Sequence, residues 1–196
     1  MAEKRCLTRE DIMAMEDYTR VRPERRRAIA EIKRNRRLAV GPDATFYFEN
    51  FDTMWHQVHE MLFVERGGEA QIPGELEAYN PLIPKGRELV ATIMFEIGDR
   101  TRRQQLLGRL GGVEETVSIG LDGETIAGVP ETDMDRSIAG GKASSVQFVH
   151  FPFSPEQIER FRTPGTRIVV AIEHPAYAHM AVMPANVRAA LAQDFG

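Results

Sequence analysis

Two histidines and a glutamate on one predicted helix have a spacing that could do chemistry. In the segment Trp55-His56-Gln57-Val58-His59-Glu60-Met61, His56 and Glu60 lie four residues apart and share a helix face, and His59 follows His56 by three. Two imidazoles and a carboxylate arranged in this way could hold a transition metal. The alternative is a solvated His–Glu pair. That interpretation is favoured because the segment is not HExxH and no second ligand cluster lies nearby in sequence.

A second candidate is His174, which ends a predicted strand. From Arg167 to His174 every second residue is apolar, so His174 ends a buried face, and Pro175 then forces the chain to turn. With Tyr177 in reach, His174 could act as a metal ligand or a general base. The alternative, which is favoured, is a histidine at the edge of the core that hydrogen-bonds to the backbone or to Tyr177.

Acidic residues near strand ends and on the third predicted helix could complete a site. They are Glu49, Glu60, Glu65, Glu77 and Glu96. Their simpler role is to pair with arginines of the same fold. The rival role is convergence with His174 on a metal, as in His/carboxylate centres of iron or manganese.

The segment from Arg20 to Arg37 is strongly basic. Nine basic and two acidic residues give it a net charge of +7 in a chain whose formal net charge is −4. The basic residues are Arg20, Arg22, Arg25, Arg26, Arg27, Lys33, Arg34, Arg36 and Arg37. Solvent, an acidic surface of the same fold or an anionic ligand must offset this charge. The run contains no interleaved aromatics and no recognised module, which argues against nucleic acid.

Local signals predict the elements that would position these residues. Thr8 is a cap for a short helix from Arg9 to about Arg20, and Pro23 suits the start of a second helix to about Arg36. A third helix is predicted from about Thr53 to Arg66. The polar stretch from Val129 to Ala143 is predicted to be a loop.

Beyond Pro84 the pattern changes to short strands joined by turns. Asp122-Gly123 is a two-residue hairpin signal. Strands linked by hairpins and short helices indicate an α+β fold, with a mostly antiparallel sheet packed with helices. We expect a single domain over residues 1–196, with a helix-rich amino-terminal part (1–84) and an antiparallel sheet part (85–196).

Composition is that of an ordinary folded soluble protein. The 196 residues are 42% hydrophobic and 28% charged. The single cysteine, Cys6, cannot form an intrachain disulfide, and the charged amino terminus contains no apolar signal segment, so we expect a cytoplasmic protein. No stretch is apolar over the length that a membrane requires. Without GxGxxG, GxSxG, CxxC or a P-loop, the standard nucleotide, acyl-transfer and zinc chemistries have no support.

The most distinctive short motifs are Glu77-Ala78-Tyr79-Asn80-Pro81-Leu82 and His174-Pro175-Ala176-Tyr177. The others are Leu7-Thr8-Arg9, Phe48-Glu49-Asn50, Gln57 with Glu60-Met61, and Ala91-Thr92 with Glu96. Together, and in this order over nearly the whole chain, they resemble a bacterial family known as domain-of-unknown-function family 3501. The resemblance implies no particular activity. Members of this family lie beside rubrerythrin-like and iron–sulfur proteins, so the resemblance implies a role in iron or peroxide stress.

The resemblance also implies which positions belong to a site. Those that it singles out are Gln57, Glu60, Tyr79, His174 and Tyr177. It does not require His56 or His59, which weakens the metal interpretation of the first cluster. The chain departs from the family pattern at Gln147, where histidine is expected, and at His150, where arginine is expected.

Two functional hypotheses remain. In the first, His174, Glu60 and Glu96 bind iron, manganese or zinc, or a pocket around them binds a small anionic ligand, in redox or stress metabolism. The ligand-binding side chains of that pocket would be Gln57, Tyr79, Tyr177 and Arg22. In the second, the protein is a non-catalytic binding module whose basic helix (20–37) docks an acidic partner protein or nucleic acid. A partner protein is favoured over nucleic acid. A homodimer is compatible with either hypothesis.

Overall fold

The structure is a computed structural model that describes residues 4–131 and 143–196. These residues contain six α-helices and nine strands. The helices are α1 (Met15–Arg34), α2 (Phe51–Glu65), α3 (Ile72–Tyr79), α4 (Arg100–Leu107), α5 (Pro155–Arg162) and α6 (Ala185–Leu191). The strands are β1 (Arg37–Val40), β2 (Ala44–Phe48), β3 (Glu88–Phe95), β4 (Val117–Leu121), β5 (Glu124–Ala127), β6 (Val129–Pro130), β7 (Val146–Pro152), β8 (Ile168–His174) and β9 (Tyr177–Val182). Within these two ranges, no helix has the length and apolar character needed to span a bilayer.

The strands form two antiparallel sheets. The larger has the order β1-β2-β3-β7-β6, and the smaller has the order β5-β4-β8-β9. Phe46 lies opposite Ile93 in the first sheet, and Ile119 lies opposite Val170 in the second. The predicted Asp122-Gly123 turn joins β4 to β5, and both residues have positive φ. The α+β class with antiparallel strands is therefore confirmed, with two sheets in place of one.

The larger hydrophobic core joins the two sheets. Phe46, Phe48 and Phe151 of the five-stranded sheet are at most 1% exposed, and the four-stranded sheet adds Ile119 and Ile172. Alternate residues of each strand face this core, because successive side chains point to opposite faces of a sheet. Removal of these apolar side chains from water is the main favourable contribution to folding.

The helical amino-terminal third packs on the opposite face of the five-stranded sheet. A second core contains Met54, Val58 and Leu62 of α2 together with Val90 of β3. The neighbouring Leu89 belongs to the first core, so β3 is buried on both faces. The region predicted as helix-rich also supplies β1 and β2 to this sheet.

The first helix is longer than predicted. The prediction of two helices that meet near Pro23 is wrong, because α1 runs continuously through that residue, and Arg9–Asp11 forms only a 3₁₀ turn. Proline removes one backbone donor and leaves the carbonyl of Thr19 without its helical partner. Pro23 is exposed, so water can solvate that carbonyl. The buried side chains Tyr18 and Ile29, on either side of Pro23, lie on the face that packs against α2.

The stretch predicted as a polar loop (129–143) lies only partly within the described residues. Its first two residues, Val129 and Pro130, form β6 at the edge of the larger sheet. Residues 132–142 lie outside the described ranges.

Candidate functional site

A hydrogen-bonded cluster joins α1 to α2 around Glu60. Arg22 of α1 donates from Nε and Nη2 to the two carboxylate oxygens of Glu60, each at 2.8 Å. Tyr18, which is fully buried, donates its hydroxyl to Glu60 Oε1 at 2.8 Å. The guanidinium of Arg22 also lies over the ring of Phe63, 4.3 Å from its centroid. The result is a bidentate, charge-assisted ion pair between the two helices.

This cluster keeps Glu60 ionised. Hydrogen bonding from Arg22 lowers the pKa of Glu60 from its usual 4.5 to about 2, and the Tyr18 hydroxyl acts in the same direction. Burial raises the pKa of Tyr18, and its bond to Glu60 raises the pKa further, so that the hydroxyl stays a donor. A metal ion at Glu60 would have to displace the guanidinium of Arg22.

His59 is a buried structural histidine. Its Nε2 accepts from the backbone N–H of Met13 at 3.1 Å, so Nδ1 carries the proton and donates to the carbonyl of Trp55 at 2.7 Å. The rings of His59 and Trp55 stack with centroids 3.8 Å apart. Burial lowers the pKa of His59 and favours this neutral form. Both ring nitrogens are therefore occupied, which leaves no lone pair for a metal.

His56 has one ring nitrogen available. Its Nδ1 lies 3.4 Å from the hydroxyl of Tyr18. Because that hydroxyl gives its proton to Glu60, the network assigns the imidazole proton to Nδ1. Among the described residues, Nε2 of His56 has no hydrogen-bond partner. Burial lowers the pKa of His56, and the nearby cations Lys33 and Arg26 lower it further, against the opposing charge of Glu60.

His56 lines a groove between α1 and α2 that has an apolar floor and a charged rim. The groove has a volume of about 50 Å³. Its lining consists of Arg25, Ala28, Ile29, Ile32, Asp52, Trp55 and His56. The guanidinium of Arg25 lies over the ring of Trp55, 5.0 Å from its centroid. The groove therefore combines aliphatic surface with a positive charge on its α1 side and a carboxylate on its α2 side.

The basic residues of segment 20–37 fall into two groups. Arg36 is buried against Asp194, and Arg22 is held by Glu60. Arg20 and Arg34 pair with carboxylates three residues away on the exposed surface of α1, where such pairs contribute little. The remaining five have no carboxylate within ion-pair distance in the described parts of the chain. They are Arg25, Arg26, Arg27, Lys33 and Arg37, and we call them the unpaired basic set.

Three of the unpaired basic set lie around the groove. Arg25 lines it, and Arg26 and Lys33 lie close enough to His56 to lower the pKa of that imidazole. At 100° per residue, Arg27 falls on the side of α1 away from the groove. Three of the five unpaired charges therefore lie near the groove.

His174, the predicted metal ligand at the end of β8, makes two backbone contacts instead. Its Nδ1 accepts from the N–H of Ala176 at 3.1 Å, which leaves Nε2 to donate to the carbonyl of Gly111 at 3.2 Å. This is the backbone-bonded histidine of the alternative interpretation. With both nitrogens occupied, the ring fixes the turn before β9 against the segment that follows α4.

The structure does not bring His174, Glu60 and Glu96 together as a metal centre. Glu96 is exposed and accepts from the hydroxyl of Tyr47 at 3.0 Å, whereas Glu60 is held between α1 and α2. Within residues 4–131 and 143–196, no group of three or more His, Cys, Asp or Glu side chains could hold a metal ion. The predicted centre is replaced by three separate contacts, because these residues belong to different layers of the fold.

Tyr177, predicted to bind a ligand, instead connects the two sheets. Its hydroxyl accepts from the backbone N–H groups of Asp43 and Ala44, at 2.9 and 3.0 Å, and donates to the carbonyl of Val40 at 2.9 Å. One donor and two acceptor positions are all that a hydroxyl has. At Gly41, where φ is +75°, a Cβ atom would lie 2.6 Å from this hydroxyl, so the close approach requires glycine.

The other two predicted ligand-binding residues belong to the helical layer. Tyr79, at the end of α3, packs against the second core. Gln57 is half-buried on α2, and its side chain forms no hydrogen bond within the described residues. Among the predicted ligand-binding residues, Arg22 contacts another predicted site residue, Glu60.

Comparison with known proteins places the chain in a family. Residues 6–195 match the family described as Protein of unknown function (DUF3501). The chain belongs to this family. It is similar to a novel protein of unknown function from Burkholderia pseudomallei, whose crystal structure shares 31% identity and a TM-score of 0.89 over 97% of this chain and 99% of that one. No curated protein matches the chain.

In this DUF3501 protein, His150 forms a contact that sequence analysis missed. Its Nδ1 lies 3.0 Å from Glu88, and its Nε2 lies 3.0 Å from Glu131. Hydrogen bonding to Glu88 raises the pKa of His150, which favours the imidazolium that donates to both. The arginine expected here would place a positive charge between the same carboxylates. The two carboxylates lie at opposite edges of the imidazole ring, so His150 bridges them through two ion pairs.

At Tyr18 and Gln147 the observed contacts also differ from those predicted from the sequence. Tyr18 was not predicted as a site residue, because the two-helix prediction separated it from Arg22. Gln147, where the DUF3501 resemblance predicts histidine, is buried and donates to the carbonyl of Ser144 at 3.2 Å. Position 147 is therefore a structural contact in this chain.

Proposed function

We propose that this DUF3501 protein is a non-catalytic binding module whose helix α1 docks an acidic segment of a partner protein. The observation that carries this function is that Arg25, Arg26 and Lys33 of the unpaired basic set lie around the α1–α2 groove, in a protein of net charge −4. Crowded like charges repel one another, and an anionic partner relieves that repulsion. A metal function is not proposed, since His174, Glu60 and Glu96 each make separate contacts.

A protein segment is favoured over nucleic acid as the partner. The ring of Trp55 is already stacked with His59 and lies under Arg25, so a nucleobase would have to displace Arg25 in order to stack there. The carboxylate of Asp52 on the groove and the net negative charge of the protein both oppose a long polyanion. A short acidic segment can place its charges on the α1 side alone.

A defined peptide tests this function. A labelled glutamate-rich peptide is titrated with the purified protein at rising salt, and fluorescence anisotropy reports binding. We expect binding at low ionic strength that weakens with salt. The double variant Arg25→Glu/Arg26→Glu should bind about tenfold more weakly or worse, since each reversal replaces an attraction with a repulsion.

Arg27→Glu is the matched control, because Arg27 lies on the side of α1 away from the groove. It should weaken binding much less than the double variant does. Equal losses, or binding that neither variant changes, would refute docking at the groove side of α1. Thermal unfolding of each variant confirms that it is folded. Tighter, Arg26-dependent binding of a single-stranded oligothymidylate would overturn the choice of a protein partner.

A further inference from the structure

The groove beside Arg25, Arg26 and Lys33 has a hydrophobic floor that charge pairing alone does not explain. We infer that the acidic partner segment inserts one aliphatic side chain into this groove, between α1 and α2. This inference rests on the proposed function and specifies the class of segment that is recognised: an acidic segment with an aliphatic anchor.

The lining supports an aliphatic anchor. Ala28, Ile29 and Ile32 form one stripe of α1 at helical spacing, and Trp55 of α2 lies across from them. The volume of about 50 Å³ exceeds the roughly 10–15 Å³ that one water molecule needs. An apolar space of this size gains more from an aliphatic side chain than from water, which would find few hydrogen-bond partners on this floor.

The rim orients the segment. Arg25 attracts carboxylates on the α1 side, and Asp52 repels them on the α2 side. The acidic residues of the partner should therefore flank the anchor on the α1 side. His56 adds a polar contact on the rim, because its Nε2 has no partner among the described residues and can accept from a hydroxyl or a backbone N–H. Charge complementarity and the aliphatic floor together define the occupant.

Two glutamate-rich peptides that differ only at a central residue, leucine or alanine, test the anchor. The leucine peptide should bind about tenfold more tightly than the alanine peptide, as expected when much of a leucine side chain leaves water. In the groove-filling variant Ala28→Leu this advantage should disappear. Ala30→Leu is the matched control, since Ala30 is an exposed alanine of the same helix that does not line the groove; it should keep the advantage.

The two proposals fail in different ways. Equal binding of the leucine and alanine peptides, both lost in Arg25→Glu/Arg26→Glu, would overturn the anchor and leave acidic docking in place. A preference for leucine that survives in Ala28→Leu would place the anchor elsewhere and also overturn the inference. Binding of both peptides that is indifferent to the arginine reversals would overturn the docking function itself.

Discussion

Glu60 shows at the scale of one residue how position changes the chemistry that a side chain can do. The sequence marks it as a carboxylate on a helix face with His56, which is compatible with a metal ligand. In the folded protein, Arg22 and Tyr18 occupy its two oxygens. Its charge therefore serves the contact between α1 and α2, and its removal should affect stability first.

The variant Glu60→Gln should show this effect through the pH dependence of folding. The folded carboxyl has a pKa of about 2 against its usual 4.5, so its contribution is present above pH 4.5 and is lost as the pH falls towards 2. The variant should be less stable by about 1–3 kcal/mol at neutral pH and should lose less stability between pH 4.5 and 2. Urea unfolding over a pH series measures both quantities. Glu77→Gln, at an exposed site, is the control. If the free energy of unfolding fell equally steeply with falling pH in Glu60→Gln and in wild type, the ion pair would be contradicted.

The sequence identifies Glu60 and Arg22 separately but not their pairing. The helical spacing and the family resemblance identified Glu60, and the charge count identified Arg22. Their contact depends on α1 continuing through Pro23 and packing against α2, which is a tertiary preference that overrides local propensity. The same limit applies to His150, whose partner Glu88 is fixed by the pairing of β3 with β7.

In helix α1 the local sequence favours a break at Pro23, whereas the folded protein has a continuous helix. Proline inside a helix costs about 3 kcal/mol relative to alanine, because it removes a hydrogen bond and crowds the preceding turn. The buried contacts of Tyr18 and Ile29 with the rest of the fold offset this cost. Seven of the nine basic residues of segment 20–37 thereby belong to one continuous helix.

Replacing Pro23 with alanine should stabilise the protein. The variant restores the donor to the carbonyl of Thr19 at an exposed position, so we expect a gain of about 1–3 kcal/mol in the free energy of unfolding. Urea denaturation or thermal unfolding measures it. The neighbouring exposed variant Glu24→Ala should change stability by no more than about 0.5 kcal/mol. A loss of stability in Pro23→Ala would mean that α1 needs a break at this residue.

The architecture of the whole molecule could be predicted better than its site. Hairpin turns, strand alternation and capping signals are local, and they gave the α+β class and its antiparallel pairing. The division of the strands into two sheets depends on contacts distant in sequence, such as the Tyr177 hydroxyl with the backbone from Val40 to Ala44. The residues of the predicted His174 centre make separate contacts for the same reason, since convergence is a property of the complete fold.

The fold of the whole molecule places the arginines of segment 20–37 in different environments. Arg36 is 4% exposed, pairs with Asp194 near the carboxyl terminus, and donates to the carbonyls of Phe48 and Glu49. It joins the end of the basic segment to the end of the chain. Arg27, in contrast, is exposed and unpaired within the described residues. Two arginines of one segment therefore lie in opposite environments, one buried and paired and the other exposed.

Alanine variants of these two arginines should differ in their effect on stability. Arg36→Ala leaves the carboxylate of Asp194 without this ion pair and two carbonyls without their donor, so it should lower the free energy of unfolding by about 3–5 kcal/mol. Arg27→Ala should change it by no more than about 0.5 kcal/mol. Urea denaturation at neutral pH measures both. If the two variants were equally stable, Arg36 would belong to the exposed surface, and the division of the basic segment into buried and exposed arginines would be wrong.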